Sequence, residues 1–181
     1  MKRAAHSAAI ENHYTKSWGP PLRRERLTRG PVHELPPDFE VLVFQRNDSL
    51  CYATSSMSQP LDDEALELHL MAEHAQPGLV ELLTVVAHYH RTGHRLGLGH
   101  SVNFGRPWLV GATASFGLIS LPYLDGPDLE WSAEPRIRFL WLLPITERER
   151  EFKKAHGTEA LEQRFEEAEL DYLNPNRNSV V

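Results

Sequence analysis

Between Phe39 and Gln45 the chain is crowded with β-formers, Val41 and Val43 falling on one side of an extended backbone and Leu42 and Phe44 on the other. Both sides are apolar, so the pattern predicts a central strand with two covered faces. Arg46-Asn47-Asp48-Ser49 is polar and turn-prone, and an extended pattern resumes at Leu50 to Thr54, which predicts a hairpin. Leu66, Leu68 and Leu70 alternate with Glu67, His69 and Met71, which predicts a strand with three leucines inward and a wetter opposite face. After Pro77-Gly78, the spacing of Leu79, Val80, Leu82, Leu83, Val86 and Tyr89 draws an apolar stripe along a helix that should stop near Gly93. Phe116 to Leu121, ended by Pro122, and Arg138 to Leu143, closed by Pro144, read as two further strands. Thr146 with Glu149 forms a capping-box pattern that opens a helix through Lys154. Gly157 ends it, and Thr158 starts another through Leu170, with Leu161, Phe165 and Ala168 on its buried side.

Strands do not alternate regularly with helices, so a doubly wound nucleotide-binding sheet fits poorly. The expected class is α+β, a mixed β-sheet with helices packed on it in a single domain. Five prolines between Trp18 and Pro37 remove amide donors and bias their predecessors toward extended backbone. Residues 1–37 are accordingly expected to be an extended, basic, Pro-rich lead-in, loosely attached, with the folded domain at 38–181. A chain of 181 residues, 41% apolar and 24% charged, has enough material for one sizeable core.

Charge narrows the choice of partner. The net charge of -6 argues against general nucleic-acid binding, because phosphate repels an acidic surface. Residues 1–30 hold seven Lys or Arg against Glu11 and Glu25, a surplus of five, which leaves a deficit of eleven on the remainder. Cys51 is the only cysteine, which excludes an internal disulfide and fits a reducing compartment. Lys2 and Arg3 resemble a signal-peptide start, but Glu11, Asn12 and His13 interrupt the apolar stretch that should follow, and no later run is long enough to span a bilayer. The expected location is the cytoplasm, with no membrane contact.

His88, His90, His94 and His100 raise the question of a metal site, since imidazole is the commonest metal ligand. Gly93 breaks the helical spacing of His90 and His94, no H-E-x-x-H arrangement occurs, and acids nearby are sparse. Neither Ser101 nor Ser115 stands in a G-x-S-x-G elbow, and no phosphate-cradling glycine motif is present. Adjacent carboxylates such as Asp62 with Asp63 and Glu166 with Glu167 read as solvated surface. No catalytic, cofactor-binding or metal-ligating residue is therefore assigned. Of the tryptophans, Trp141 reads as core, while Trp108 and Trp131 stand in loop-like surroundings suited to an interface.

Several stretches, in order, resemble the suppressor of fused domain family. Thr54-Ser55-Ser56-Met57-Ser58 is similar to its T-x-G-M-S segment, and Leu66-Glu67-Leu68-His69-Leu70 to the strand that follows. Gly93 to Ser101 resembles the family's stretch ending in Gly-His-Thr. Phe139 to Ile145, Glu149, Gly157 and Glu159-Ala160-Leu161 look like its strand, proline, helix, glycine, helix ending, and the tail from Asn174 to Val181 like its D-P-x-R-x-S-V close. The chain departs from the family at Ser56, where glycine is usual, and at Asn178, where proline is frequent and whose absence is expected to loosen the tail. The resemblance implies a mixed α+β domain without catalytic apparatus. It implies two kinds of work: animal two-part relatives restrain transcription factors, and short bacterial members serve as immunity proteins against toxins of polymorphic secretion systems. The match to the first portion of the animal protein alone favours the bacterial role.

The resulting expectation is a non-catalytic, intracellular protein that binds another protein, such as a basic toxin domain. The rival is a metal-dependent or hydrolytic enzyme built around His94 and His100. Partner contacts are expected from the glycine-rich loop and its surroundings, at His94, Gly99, His100, Asn103 and Trp108, because loops on a rigid scaffold tend to carry function.

Overall fold

A computed structural model describes residues 3–181, so Lys2, counted in the basic arm, lies outside the described residues. Among the described residues seven strands form one mixed sheet in the order β1-β2-β3-β4-β7-β6-β5. They are β1 (Arg23–Glu25), β2 (Glu40–Arg46), β3 (Ser49–Ser55), β4 (Leu66–Ala72), β5 (Ser101–Asn103), β6 (Phe116–Ser120) and β7 (Arg138–Ile145). Neighbours are antiparallel except β4 and β7, which run parallel through Leu66↔Arg138 to His69↔Trp141. The α+β class and mixed sheet expected from the sequence are what the chain forms. Strand β7 runs one turn of pattern farther than expected, since Pro144 is accommodated opposite Gly117 before the strand ends at Ile145.

Helices cover both faces of the sheet. On one face α2 (Gly78–Thr92) lays Leu79, Leu82, Leu83 and Val86 on Val41, Val43, Leu68, Leu70, Leu140 and Leu142. On the other, Leu42, Phe44, Phe139, Trp141 and Leu143 are covered by α1 (Arg3–Trp18), the short α3 (Pro127–Glu130) and α5 (Thr158–Glu167). Helix α4 (Glu147–His156) begins with the expected capping box, Thr146 Oγ1 accepting from Glu149 N and Glu149 accepting from Thr146 N. Helix α5 is shorter than expected, ending at Glu167 and leaving Ala168 exposed.

Three further expectations are corrected. The lead-in is not loose: residues 3–18 form α1, whose Ile10 and Tyr14 are fully buried. Its inward stripe is His6, Ile10, His13, Tyr14 and Trp18, and the histidines are sealed by bonds of Nε2 to Ser58 Oγ (3.0 Å) and to the Leu129 carbonyl (2.8 Å). The second face of β4 is not wet, because α1 lies over it and Glu67, His69 and Met71 are all buried. The tail is not loosened by Asn178. Arg177 donates to both carboxylate oxygens of buried Glu149 (2.6 and 2.8 Å) and to the Pro144 carbonyl, while Val180 N donates to Glu149 Oε1.

Candidate functional site

Strand β5 ends the sheet. Phe104 N donates to the Ser115 carbonyl and Ile119 N to the His100 carbonyl, so the even-numbered positions turn inward to β6. By the alternation of an antiparallel ladder, the backbone groups of Ser101 and Asn103 face the open side. An open edge of this kind is a template for another extended chain. Beside it runs α2, and between the two lies a groove of about 200 Å³ lined by Leu82, Val85, Val86, Tyr89, Val102 and Phe104. Val85 and Tyr89 are 43% and 41% exposed, large apolar groups left uncovered on a helix whose other side is core. Phe104 reaches the groove because residue 117 is glycine: a Cβ there would sit 2.6 Å from both the Phe104 ring and Leu142.

The glycine-rich loop joins α2 to this edge. Gly93 closes the helix by donating to the Tyr89 carbonyl, and exposed His94 sets its ring edge-on to Tyr89 with centroids 6.2 Å apart. Gly99 has φ +78°, which a side chain rarely adopts, and donates its N–H to the Ile119 carbonyl, so it starts the pairing of β5 with β6. Asn103 is exposed on β5, its Oδ1 accepting from Gly105 N. His100 is exposed and lines a second, larger cleft of about 590 Å³, which Arg95, Asp62 and Trp131 also line. Trp131 is 40% exposed and lies under two guanidinium groups, Arg136 at 4.5 Å and Arg138 at 5.2 Å from its ring centroid. Trp108 is the correction: it is buried in the α2-side core and offers no contact surface, its loop being folded back by the bond of its N–H to the Ala114 carbonyl.

Thus Asn103 lines the β5–α2 groove, His94 approaches it only through Tyr89, Gly99 starts the strand that borders it, and His100 lines a neighbouring cleft. Sequence reasoning missed Val85 and Phe104. The signal for Val85 was an apolar stripe on α2 one position wider than a single buried face requires.

The histidines do not converge. His88 Nε2 lies 3.1 Å from Glu34 Oε2, while buried His90 accepts from Leu96 N through Nδ1 (2.9 Å), its pKa lowered by burial to about 4. Among the described residues no group of three or more His, Cys, Asp or Glu is arranged to hold a metal ion. Buried Glu67 is the most perturbed carboxyl. Desolvation raises its pKa to about 7, against donors from Thr54 Oγ1 (2.6 Å), Ser58 N (2.9 Å), Ser58 Oγ (2.7 Å) and Met57 N (3.3 Å). The Thr54-Ser55-Ser56-Met57-Ser58 segment is thereby a cradle for this carboxyl, sealed beneath α1 away from solvent. No helix is long and apolar enough to cross a membrane among the described residues.

Comparison with known proteins places the geometry in context. The family model described as "Suppressor of fused protein (SUFU)" matches residues 37–178. A suppressor of fused homologue from Neisseria gonorrhoeae superposes with a TM-score of 0.88 at 34% identity, covering 98% of each chain. A chain from a Sufu–Fu complex superposes with a TM-score of 0.74 at 14% identity, covering 97% of this chain and 92% of the other. Drosophila Suppressor of Fused gives 0.71 at 14% identity, with 97% of this chain laid on 51% of that one. At 14% identity these last two speak to the fold alone. No curated protein sequence matches the chain.

Proposed function

We propose that this chain, which belongs to the suppressor of fused family, is a non-catalytic binding domain that takes an extended segment of another protein against β5. The observation that carries the reading is the pairing of an open sheet edge with an uncovered apolar groove. Backbone groups of Ser101 and Asn103 supply a ladder of hydrogen bonds, and the groove of Val85, Tyr89 and Phe104 supplies pockets for alternate side chains of the added strand. A related chain occurs in a complex of Sufu with Fu, which agrees with a protein as the ligand. The finer identity we favour is a basic toxin domain neutralised inside the cell. The charge of -6, concentrated outside the first thirty residues, supports it by favouring capture of a basic protein.

The test is affinity capture from the cells that make the protein, using wild type, Asn103→Pro and Tyr89→Asp. Proline at an edge position whose N–H faces outward leaves the sheet intact but removes a donor from the incoming strand. Aspartate at Tyr89 desolvates badly in the groove. One protein retained by wild type and lost by both variants, with unchanged thermal unfolding, is the expected result. Equal retention by all three chains counts against the site, and turnover of a small molecule abolished by His100→Ala counts against the function.

A further inference from the structure

A second groove lies on the opposite face of the sheet from α2. Its volume is about 630 Å³. The floor is apolar: Trp141 and Leu143 from β7, Phe165 from α5, and Leu170 and Tyr172 from the segment that follows, with Tyr172 edge-on to Trp141 at 5.2 Å. Tyr123 and Leu124 overhang it and are 58% and 39% exposed, so the groove continues into an uncovered apolar lip. Trp141 itself is buried, yet its Nε1 has no hydrogen-bond partner among the described residues.

The rim has a single sign. Glu159, Glu162, Glu166 and Glu169 border the floor, and among the described residues no Lys, Arg or His does. None of the four is in an ion pair among the described residues; the cations that approach the floor are spent elsewhere, Arg177, whose guanidinium lies 5.9 Å from the Phe165 ring, on Glu149, Arg46 on Asp125 and Arg164 on Glu167. The Tyr123 hydroxyl, donating to Glu162 Oε2 (3.1 Å), registers the field. Burial and the carboxylates of Glu162, Glu130 and Glu159 push its pKa up to about 12.

This arrangement is unfavourable for the helix that carries it. Glu159, Glu162 and Glu166 recur at i, i+3 and i+7, where like charges repel, and Glu166 and Glu169 crowd the end of α5 that the helix dipole already makes negative. Glu159, in the first turn, is the one the dipole favours; local stability would be better served by lysine at Glu166 and Glu169. A single-signed rim around an apolar floor is instead the complement of a segment that is basic outside and apolar at its centre.

We propose that this groove is a second protein-docking surface, which seats one large apolar side chain of a partner on Trp141, Phe165 and Leu124 and sets Lys or Arg on either side of it against the four carboxylates. The surface is separate from the β5 edge: Trp141, Leu143 and Phe165 belong to the α1-side core, and Leu82, Val86 and Val102 to the α2-side core.

A randomised peptide library displayed on phage and panned against the intact chain tests it, with recovered sequences synthesised and titrated by fluorescence anisotropy. The expected peptides carry Lys or Arg flanking a Leu, Phe or Trp. Their affinity falls at least about tenfold in the double variant Glu166→Lys/Glu169→Lys and in Leu124→Asp, and is unchanged in Asn103→Pro. It also weakens as salt rises, since the rim is exposed. The charge-reversed protein should melt no lower than wild type, because the change relieves repulsion on α5. The inference is overturned if no peptide is recovered, if recovered peptides lack net positive charge, or if they bind the reversed rim as tightly as wild type. Basic peptides lost only in Asn103→Pro also overturn it, while leaving the β5 site standing.

Discussion

Ser56 occupies a backbone conformation with φ +67°, a region that costs a side-chain-bearing residue about 1–2 kcal/mol. The sequence marked this position through its family likeness, where glycine is usual. What the sequence could not carry is the compensation: Ser56 Oγ lies 2.7 Å from Ser7 Oγ and donates to Asp38 Oδ2 at 3.2 Å, tying α1 to the chain before β2. Ser56→Gly relieves the strain but forfeits those bonds, each of which contributes about 1 kcal/mol, so its stability should stay within about 1 kcal/mol of wild type. Ser56→Ala keeps the strain and loses the bonds, and should unfold at lower urea than Ser56→Gly by about 1 kcal/mol. Equal midpoints for the two variants would contradict this account. Arg177 is a second residue whose role was hidden, since nothing in a polar tail announces a partner 28 positions away. Burial alone would push the Glu149 carboxyl up, but the hydrogen bonds and charge of Arg177 hold its pKa below the usual carboxylate range. Arg177→Met strands that carboxylate in the core and should cost about 3–5 kcal/mol, read from chemical unfolding at neutral pH.

At the scale of elements, what could be read in advance was whatever had a clean period. Helix α2 was legible because its buried stripe is almost wholly aliphatic, and α4 because Thr146 and Glu149 write both halves of a capping box. Helix α1 was illegible for a definite reason. Two of its five buried positions are histidines, so the stripe His6, Ile10, His13, Tyr14, Trp18 does not read as an apolar face until Ser58 and the Leu129 carbonyl are known to receive them. That omission propagated to β4, whose Glu67 and His69 look like a solvent face only if nothing covers them. The same gap affected the candidate site, because an open edge at β5 is a property of strand order and is not written in the three residues Ser101 to Asn103. If α1 is integral, Tyr14→Ala should cost about 3–5 kcal/mol and lower the single unfolding transition monitored at β-sheet wavelengths. A lead-in that merely rests on the domain would leave that transition where it is.

For the molecule as a whole, the buried titratable groups pull stability in opposite directions as pH falls. His69 is fully buried, touches Trp18 and Tyr14 edge-on, and has neither ring nitrogen bonded, so burial lowers its pKa from 6.5 to about 4. His90 is lowered to about 4 as well, and His6 and His13 are shifted down by burial. In each case the unfolded chain takes a proton that the folded one refuses, so stability present above about 6.5 is lost as pH falls, and for His69 and His90 the loss continues to about 4. Glu67 does the reverse. Its folded pKa of about 7 lies above the ordinary 4.5, so it adds stability as pH falls from about 7 to about 4.5, the folded state binding the proton first. His69 and His90 together outweigh Glu67, and at about 1.4 kcal/mol per pH unit for each of these three groups the net loss between pH 6.5 and 4 should be on the order of 3 kcal/mol. Two variants separate the contributions. His69→Leu removes an unsatisfied polar group, should gain about 1–3 kcal/mol at pH 7, and should flatten the acid limb of a plot of urea midpoint against pH. Glu67→Gln deletes the opposing term, so the same limb should become steeper. Identical slopes in wild type and both variants would mean that neither His69 nor Glu67 governs the acid response, which would then fall to His90, His6 and His13, since the lowered Glu149 carboxyl loses its contribution only below its ordinary range.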